Sequence, residues 1–122
     1  MRHRVFIVNE PMRRNRDSGE MERGVDVRPA EVHGELVFLL PPGAPPRDPM
    51  AMIDALTRGL ATFRPGDFLL PVGDLIACMV AASIVSRRSD GVYKLLRWSR
   101  DAQLYVPVEV DLAAYEQLEE QT

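Results

Sequence analysis

The chain holds a single cysteine, two histidines and one tryptophan among its 122 residues, and each scarcity removes a class of chemistry. Cys78 has no second thiol to join, so no intramolecular disulfide forms, and without a signal peptide at the start a reducing, cytoplasmic setting is expected. His3 and His33 stand at no metal-ligand spacing from each other or from Cys78, which removes the common zinc arrangements. Asp67 and Asp74 bracket one short strand, about 20 Å apart if extended, too far to share a magnesium ion. Neither G-x-G-x-x-G nor G-x-x-x-x-G-K-[ST] occurs, so dinucleotide and P-loop nucleotide binding lack sequence support. Ser83, Ser86 and Ser89 have no G-x-S-x-G turn around them and suit helix and turn roles. The residues therefore point to no catalytic group, no metal and no cofactor. The longest apolar run, residues 75–85, is about half of what a bilayer crossing needs and reads as a core helix, so no membrane contact is expected.

What is present suits one folded unit. Apolar residues make up 46% and charged residues 27% of the chain, a globular balance, and a chain of this length buries roughly two thirds of its unfolded surface in one core. The net charge of -3 argues against a chain-wide grip on nucleic acid. Charge is nonetheless uneven. Arg13, Arg14, Arg16 and Arg23 lie in a polar stretch over residues 12–24, Arg87, Arg88, Lys94, Arg97 and Arg100 form a second basic group, and residues 107–122 carry only acids. Solvated loops and a solvated tail are the simplest account of this pattern.

Along the chain, residues 4–8 read as a first strand that ends at Asn9-Glu10-Pro11, followed over 12–24 by an Arg-rich mobile loop or loose hairpin. Pro29 and Gly34 bracket one short helical turn. Residues 36–40 form a continuous apolar run, which predicts a strand buried on both faces. Asp48-Pro49 starts a helix with Ile53, Leu56, Leu60 and Phe63 on its inner face, Gly59 costing it roughly 1 kcal/mol relative to alanine. Residues 67–72 form a strand expected to fray at Pro71, and Asp74 caps a closely packed helix over residues 75–88. Residues 92–98 and 103–110 make a hairpin with Leu104, Val106, Val108 and Val110 on its covered face, and Pro107 marks an edge strand. Asp111 caps a short C-terminal helix at 111–121, with Leu112, Tyr115 and Leu118 inward.

This order predicts a single α/β domain over residues 1–122. It is a small three-layer domain with a mainly parallel sheet, two β-α-β units and a C-terminal β-hairpin, the last strand at one edge and the first at the other. Ligands of such folds sit beyond the carboxyl ends of the strands, which nominates Asn9, Gly43, Gly73 and Asp74 as a candidate crevice for a small ligand or nucleotide. Asp74 also has a sufficient role as a helix cap, and its charge repels an anion. Arg13, Arg14 and Arg16, with Lys94, Arg97 and Arg100 among hairpin aromatics, form the basis of a single-stranded nucleic-acid reading, although alternation puts Lys94 and Arg97 on opposite faces.

The stretches Gly34-Glu35-Leu36-Val37-Phe38-Leu39-Leu40, Asp67-Phe68-Leu69-Leu70-Pro71-Val72-Gly73-Asp74 and Lys94-Leu95-Leu96-Arg97-Trp98-Ser99-Arg100, followed by Tyr105-Val106-Pro107-Val108, resemble small uncharacterised proteins of tailed bacteriophages, across nearly the whole chain. Where that pattern reads Gly-Asp-Pro and Leu-Lys-Trp-Asp-Arg, this chain has Leu75 after Asp74, and Arg97 and Ser99 in the hairpin. The resemblance implies a phage setting and no particular activity. The leading expectation is thus a non-catalytic phage accessory protein that binds a protein partner or itself, with a homodimer through edge strand 103–110 as the self-association mode.

Overall fold

Val5, Phe6, Ile7 and Val8 are all fully buried, because the strand that carries them has a hydrogen-bonded neighbour on each side. The computed structural model of the protein describes residues 2–120; the last position of the expected C-terminal helix, residue 121, lies outside them. The described residues form seven strands: β1 (Arg4–Asn9), β2 (Met12–Arg14), β3 (Met21–Arg23), β4 (Glu35–Leu40), β5 (Phe68–Leu70), β6 (Val92–Ser99) and β7 (Leu104–Asp111). A 3-10 helix spans Arg28–His33, and three α-helices follow: α1 (Pro49–Gly59), α2 (Leu75–Arg88) and α3 (Leu112–Glu120).

The main sheet has the order β4-β1-β5-β6-β7, with β4, β1, β5 and β6 parallel and β7 antiparallel to β6. The small α/β domain with a mainly parallel sheet is therefore what the chain forms. Two placements differ from expectation. The first strand is interior rather than at an edge, and β4, expected to be buried on both faces, is the edge strand, with Phe38 45% exposed. Both segments are apolar runs, and pairing partners decide which is enclosed: β1 bonds to β4 and β5, β4 to β1 alone.

The steps from β4 to β5 and from β5 to β6 advance the same way across the sheet, and right-handed connections then put α1 and α2 on one face. There Phe6, Val8 and Leu69 meet Met52 and Leu56 of α1 and Ala77, Cys78, Ala81 and Val85 of α2. The step from β1 to β4 runs the other way, and its connection, including the 3-10 helix, covers the opposite face, where Val5, Ile7, Phe68, Leu70 and Leu96 meet Val27, Ala30 and Tyr105. The core is thus two apolar layers divided by the sheet.

Local chemistry accounts for the elements. Asp48 and Asp74 accept from the N–H groups of Ala51 and Ala77 and so cap α1 and α2. Met52 rather than Ile53 is the buried residue of the first turns of α1, a shift of one position in the expected inner face. Gly59 has a packing reason, since a Cβ there would lie 2.8 Å from Leu39 Cδ2. Residues 12–24 form an ordered two-stranded hairpin, β2–β3. In β7 the alternation expected to bury Leu104 leaves it 43% exposed, and the enclosed residue is Tyr105 on the opposite face, held by His33 Nε2 2.8 Å from its carbonyl. The largest departure is α3. Leu112, Tyr115 and Leu118, expected inward, are 48%, 60% and 61% exposed, because the helix runs on directly from the end of β7, with Leu112 and Ala113 against Gly91 and the stripe beyond them uncovered.

Candidate functional site

The carboxyl edge of the parallel strands is where a ligand is sought, and the sequence reversal over β1 places the switch point between β1 and its neighbours. The structure brings Asn9, Gly43, Gly73 and Asp74 together there. Asn9 is buried, and its side chain is fully engaged: Nδ2 donates to the carbonyls of Pro41 (2.9 Å) and Gly43 (3.1 Å), and Oδ1 accepts from the Asp74 N–H (3.2 Å). Its main-chain N–H donates to Val72. Gly73, at φ +105, lies so close that a Cβ would fall 2.1 Å from the Asn9 carbonyl oxygen, a contact and a backbone conformation that glycine alone accommodates. Asn9 thus ties three strand-end loops to one another, and the polar groups that would greet a ligand are spent on the chain itself.

One strand further along, the same edge opens. The N–H of Val72 donates to the carbonyl of Leu70 (3.0 Å), turning the chain tightly about Pro71, and the bond from Asn9 N–H to Val72 draws it toward β1. Ladder pairing between β5 and β6 accordingly covers only Phe68 with Lys94 and Leu69 with Leu95, while β6 runs on to Ser99. The strand does end at Pro71, as its missing N–H predicts. A wedge-shaped cavity of about 720 Å³ occupies the gap. Leu70, Pro71 and Val72 form one wall, Leu96, Trp98 and Tyr105 another, and Val25 and Asp26 before the 3-10 helix and Pro29 at its start close it. Trp98 and Tyr105 meet edge to face, centroids 5.0 Å apart. Composition gave no sign of this cavity; Pro71 inside an apolar run was its one sequence signal.

Electrostatics around the cavity are nearly closed within the chain. Arg28 binds Asp26 through Nε (2.9 Å) and Nη2 (3.0 Å), and this paired contact holds the Asp26 carboxyl down at about 2. Tyr105 donates from its hydroxyl to the Asp26 carbonyl (3.3 Å), and burial, reinforced by the Asp26 charge, raises its hydroxyl above the usual range. Arg97 borders the same cavity from the opposite face of β6, together with Leu95 and Val108; it is exposed and has no ion pair among the described residues.

The remaining basic candidates do not form one surface. Arg13 pairs with Glu22 (3.1 Å) and Arg14 donates to the Gly19 carbonyl, both on β2–β3, with Arg16 in the turn between those strands. Lys94 lies over the Phe68 ring on the face of the 3-10 helix, Arg97 points to the other face, and Arg100 sits in the β6–β7 turn. At the root of the β2–β3 hairpin, Arg23 Nε stands 2.7 Å from the buried Glu10 Oε1, off the line of its N–H, so the contact is ionic rather than a formed hydrogen bond. Cys78 is a buried thiol raised to about 11 by burial and by the Asp74 charge, far from the range of a nucleophile. No group of three or more His, Cys, Asp or Glu among the described residues is placed to hold a metal ion, and no helix of the described chain is long and apolar enough to cross a membrane.

Fold and edge geometry together define a small α/β protein with its switch point at β1. The family model of the Phage Pam3 gp32-like protein matches residues 3–112, which is nearly the whole chain and includes every strand, leaving out α3 beyond its first residue. The protein belongs to this phage family, whose description specifies no activity. No curated protein and no solved structure matches it.

Proposed function

We propose that the chain is a non-catalytic phage accessory protein that binds protein, and that a second copy of itself is one such partner. The carrying observation is a pair of uncovered apolar surfaces in one chain. On the outer face of the helix layer, Met50 of α1 and Leu75, Ile76 and Met79 of α2 are 61–73% exposed. Helix α3 carries Leu112, Tyr115 and Leu118 along one side, uncovered among the described residues. A nine-residue helix is marginal in water without packing, so α3 gains its stability from a surface that covers that stripe.

Charge selects the helix layer as this surface. Beside its apolar residues α3 carries Glu116, Glu119 and Glu120 and no base, whereas the outer face of α2 ends in Arg87. Docking α3 of one copy alongside α2 of another buries both apolar sets and pairs the acids with the arginine. Burying two leucines and a tyrosine offers about 5 kcal/mol before the cost of association. A dimer through β7 is less well supported, since its outward carbonyl at Tyr105 is taken by His33 and Pro107 offers no N–H.

Sedimentation velocity over a concentration series tests this reading. The expected result is a concentration-dependent dimer that both Leu118→Glu and Met79→Glu convert to monomer, and that Glu116→Arg weakens and Arg87→Glu restores when combined with it. A chain that stays monomeric to ~1 mM, the weak limit of specific association, refutes self-binding.

A further inference from the structure

The wedge beside β6 has a property beyond its apolar walls. Leu112 N–H donates to the Gly91 carbonyl (2.9 Å), which sets the alternation of the antiparallel pair: Tyr93, Leu95 and Arg97 turn their main-chain groups to β7, and Lys94, Leu96 and Trp98 turn theirs toward β5. Extending the β5–β6 register by two residues brings position 71 opposite Arg97, where its N–H would meet the Leu96 carbonyl and its carbonyl the Trp98 N–H. Proline has no N–H to give, and the turn about Pro71 carries its carbonyl away. The Leu96 carbonyl and the Trp98 N–H therefore face the cavity with their ladder partner withdrawn. A compact apolar molecule would fill the space and leave these groups unpaired; an extended main chain fills it and pairs them.

We propose that this wedge is a recognition site for an extended peptide segment of a partner protein, which adds a short strand to the open edge of β6 at Leu96–Trp98, seats an apolar side chain against Trp98 and Val72, and sets an acidic group beside Arg97. The volume of about 720 Å³ lies in the range of pockets that enclose a ligand of that size. The acidic preference follows from the charges at the rim. Asp26 is neutralised by Arg28, while Arg97, bordering the wedge from the other face of β6, has no ion pair among the described residues. The site is separate from α3 and does not depend on the dimer proposed above.

Trp98 is the single tryptophan, so its emission reports occupancy directly. The test pans a library of random short peptides on the full chain and titrates the enriched sequences while following Trp98 emission. Enriched peptides are expected to alternate apolar residues, to carry an acid, and to shift the emission to the blue in a saturable way. N-methylation of the amides along one edge of the peptide should weaken binding about tenfold, the loss of one main-chain hydrogen bond, while N-methylation along the other edge leaves it intact. Arg97→Glu should weaken the acidic peptides without altering the melting curve, and Leu118→Glu should leave them unaffected. The proposal is overturned if no peptide shifts Trp98 emission saturably, if N-methylation acts equally on both edges, or if the anionic aromatic dye 1-anilinonaphthalene-8-sulfonate occupies the wedge and no peptide displaces it.

Discussion

Asn9→Ala isolates the contribution of the side chain that closes the switch point. It removes two donated bonds, to Pro41 and Gly43, and one accepted from Asp74, at a position only 2% exposed. Each such bond contributes about 1 kcal/mol net, and a group left buried without a partner costs more, so the loss comes to about 3–4 kcal/mol. That is a large part of the 5–15 kcal/mol typical of a domain. Urea unfolding followed by Trp98 fluorescence, with a slope of roughly 1.5 kcal/mol per molar, should show the midpoint fall by about 2 M. Asn9→Asp adds a signed test. The introduced carboxyl faces two carbonyls, which disfavours its charged form and raises its folded value above the ordinary ~4. Stability is then present below that ordinary value and is lost as pH rises through the raised one, so this variant should approach the wild type in acid and weaken toward neutrality. A loss under ~1 kcal/mol for Asn9→Ala would refute the view that this side chain ties the strand-end loops.

Gly73→Ala should destabilise by several kcal/mol and Gly19→Ala by about 1 kcal/mol, since both have positive φ but only Gly73 faces a clash, with Asn9; equal thermal-melt shifts would contradict this. Cys78, raised to about 11 by burial first and the Asp74 charge second, should react with a thiol reagent slowly at pH 8 and at the ordinary rate in denaturant. Because its folded value is raised, its stabilising contribution is complete below the unfolded value near 9 and is lost as pH climbs toward 11, which a melting series in alkali reads out. Pro71→Ala supplies the N–H that the Leu96 carbonyl lacks, and hydrogen exchange should find the new amide at position 71 protected. A freely exchanging amide there would mean that the turn, and not the missing donor, ends β5.

Much of the local structure was legible because it depends on neighbours in sequence. Asp48 and Asp74 as caps, Pro71 as the end of a strand, the alternation of Lys94 and Leu96 against Tyr93 and Leu95, and Cys78 as a buried apolar group all follow from one or two turns of chain. The gathering of Asn9, Gly43, Gly73 and Asp74 was legible too, since parallel strands deliver their carboxyl ends to one edge. Their mutual saturation was not, because hydrogen-bond partners such as Asn9 and Pro41 lie 32 residues apart.

Sequence alone determined the kinds of element, their order and the α/β class, since periodicity, caps and breakers act over a few residues. Tertiary structure decided what was enclosed and what was left open. Two apolar strands competed for the interior, and β1 took it because it found a partner on each side. The apolar stripe of α3 looked like core and is surface, because no layer of the described residues lies across from it. The wedge beside Trp98 exists because one proline ends a ladder that a different strand continues. Burial is a relation between distant segments, and no single segment contains it.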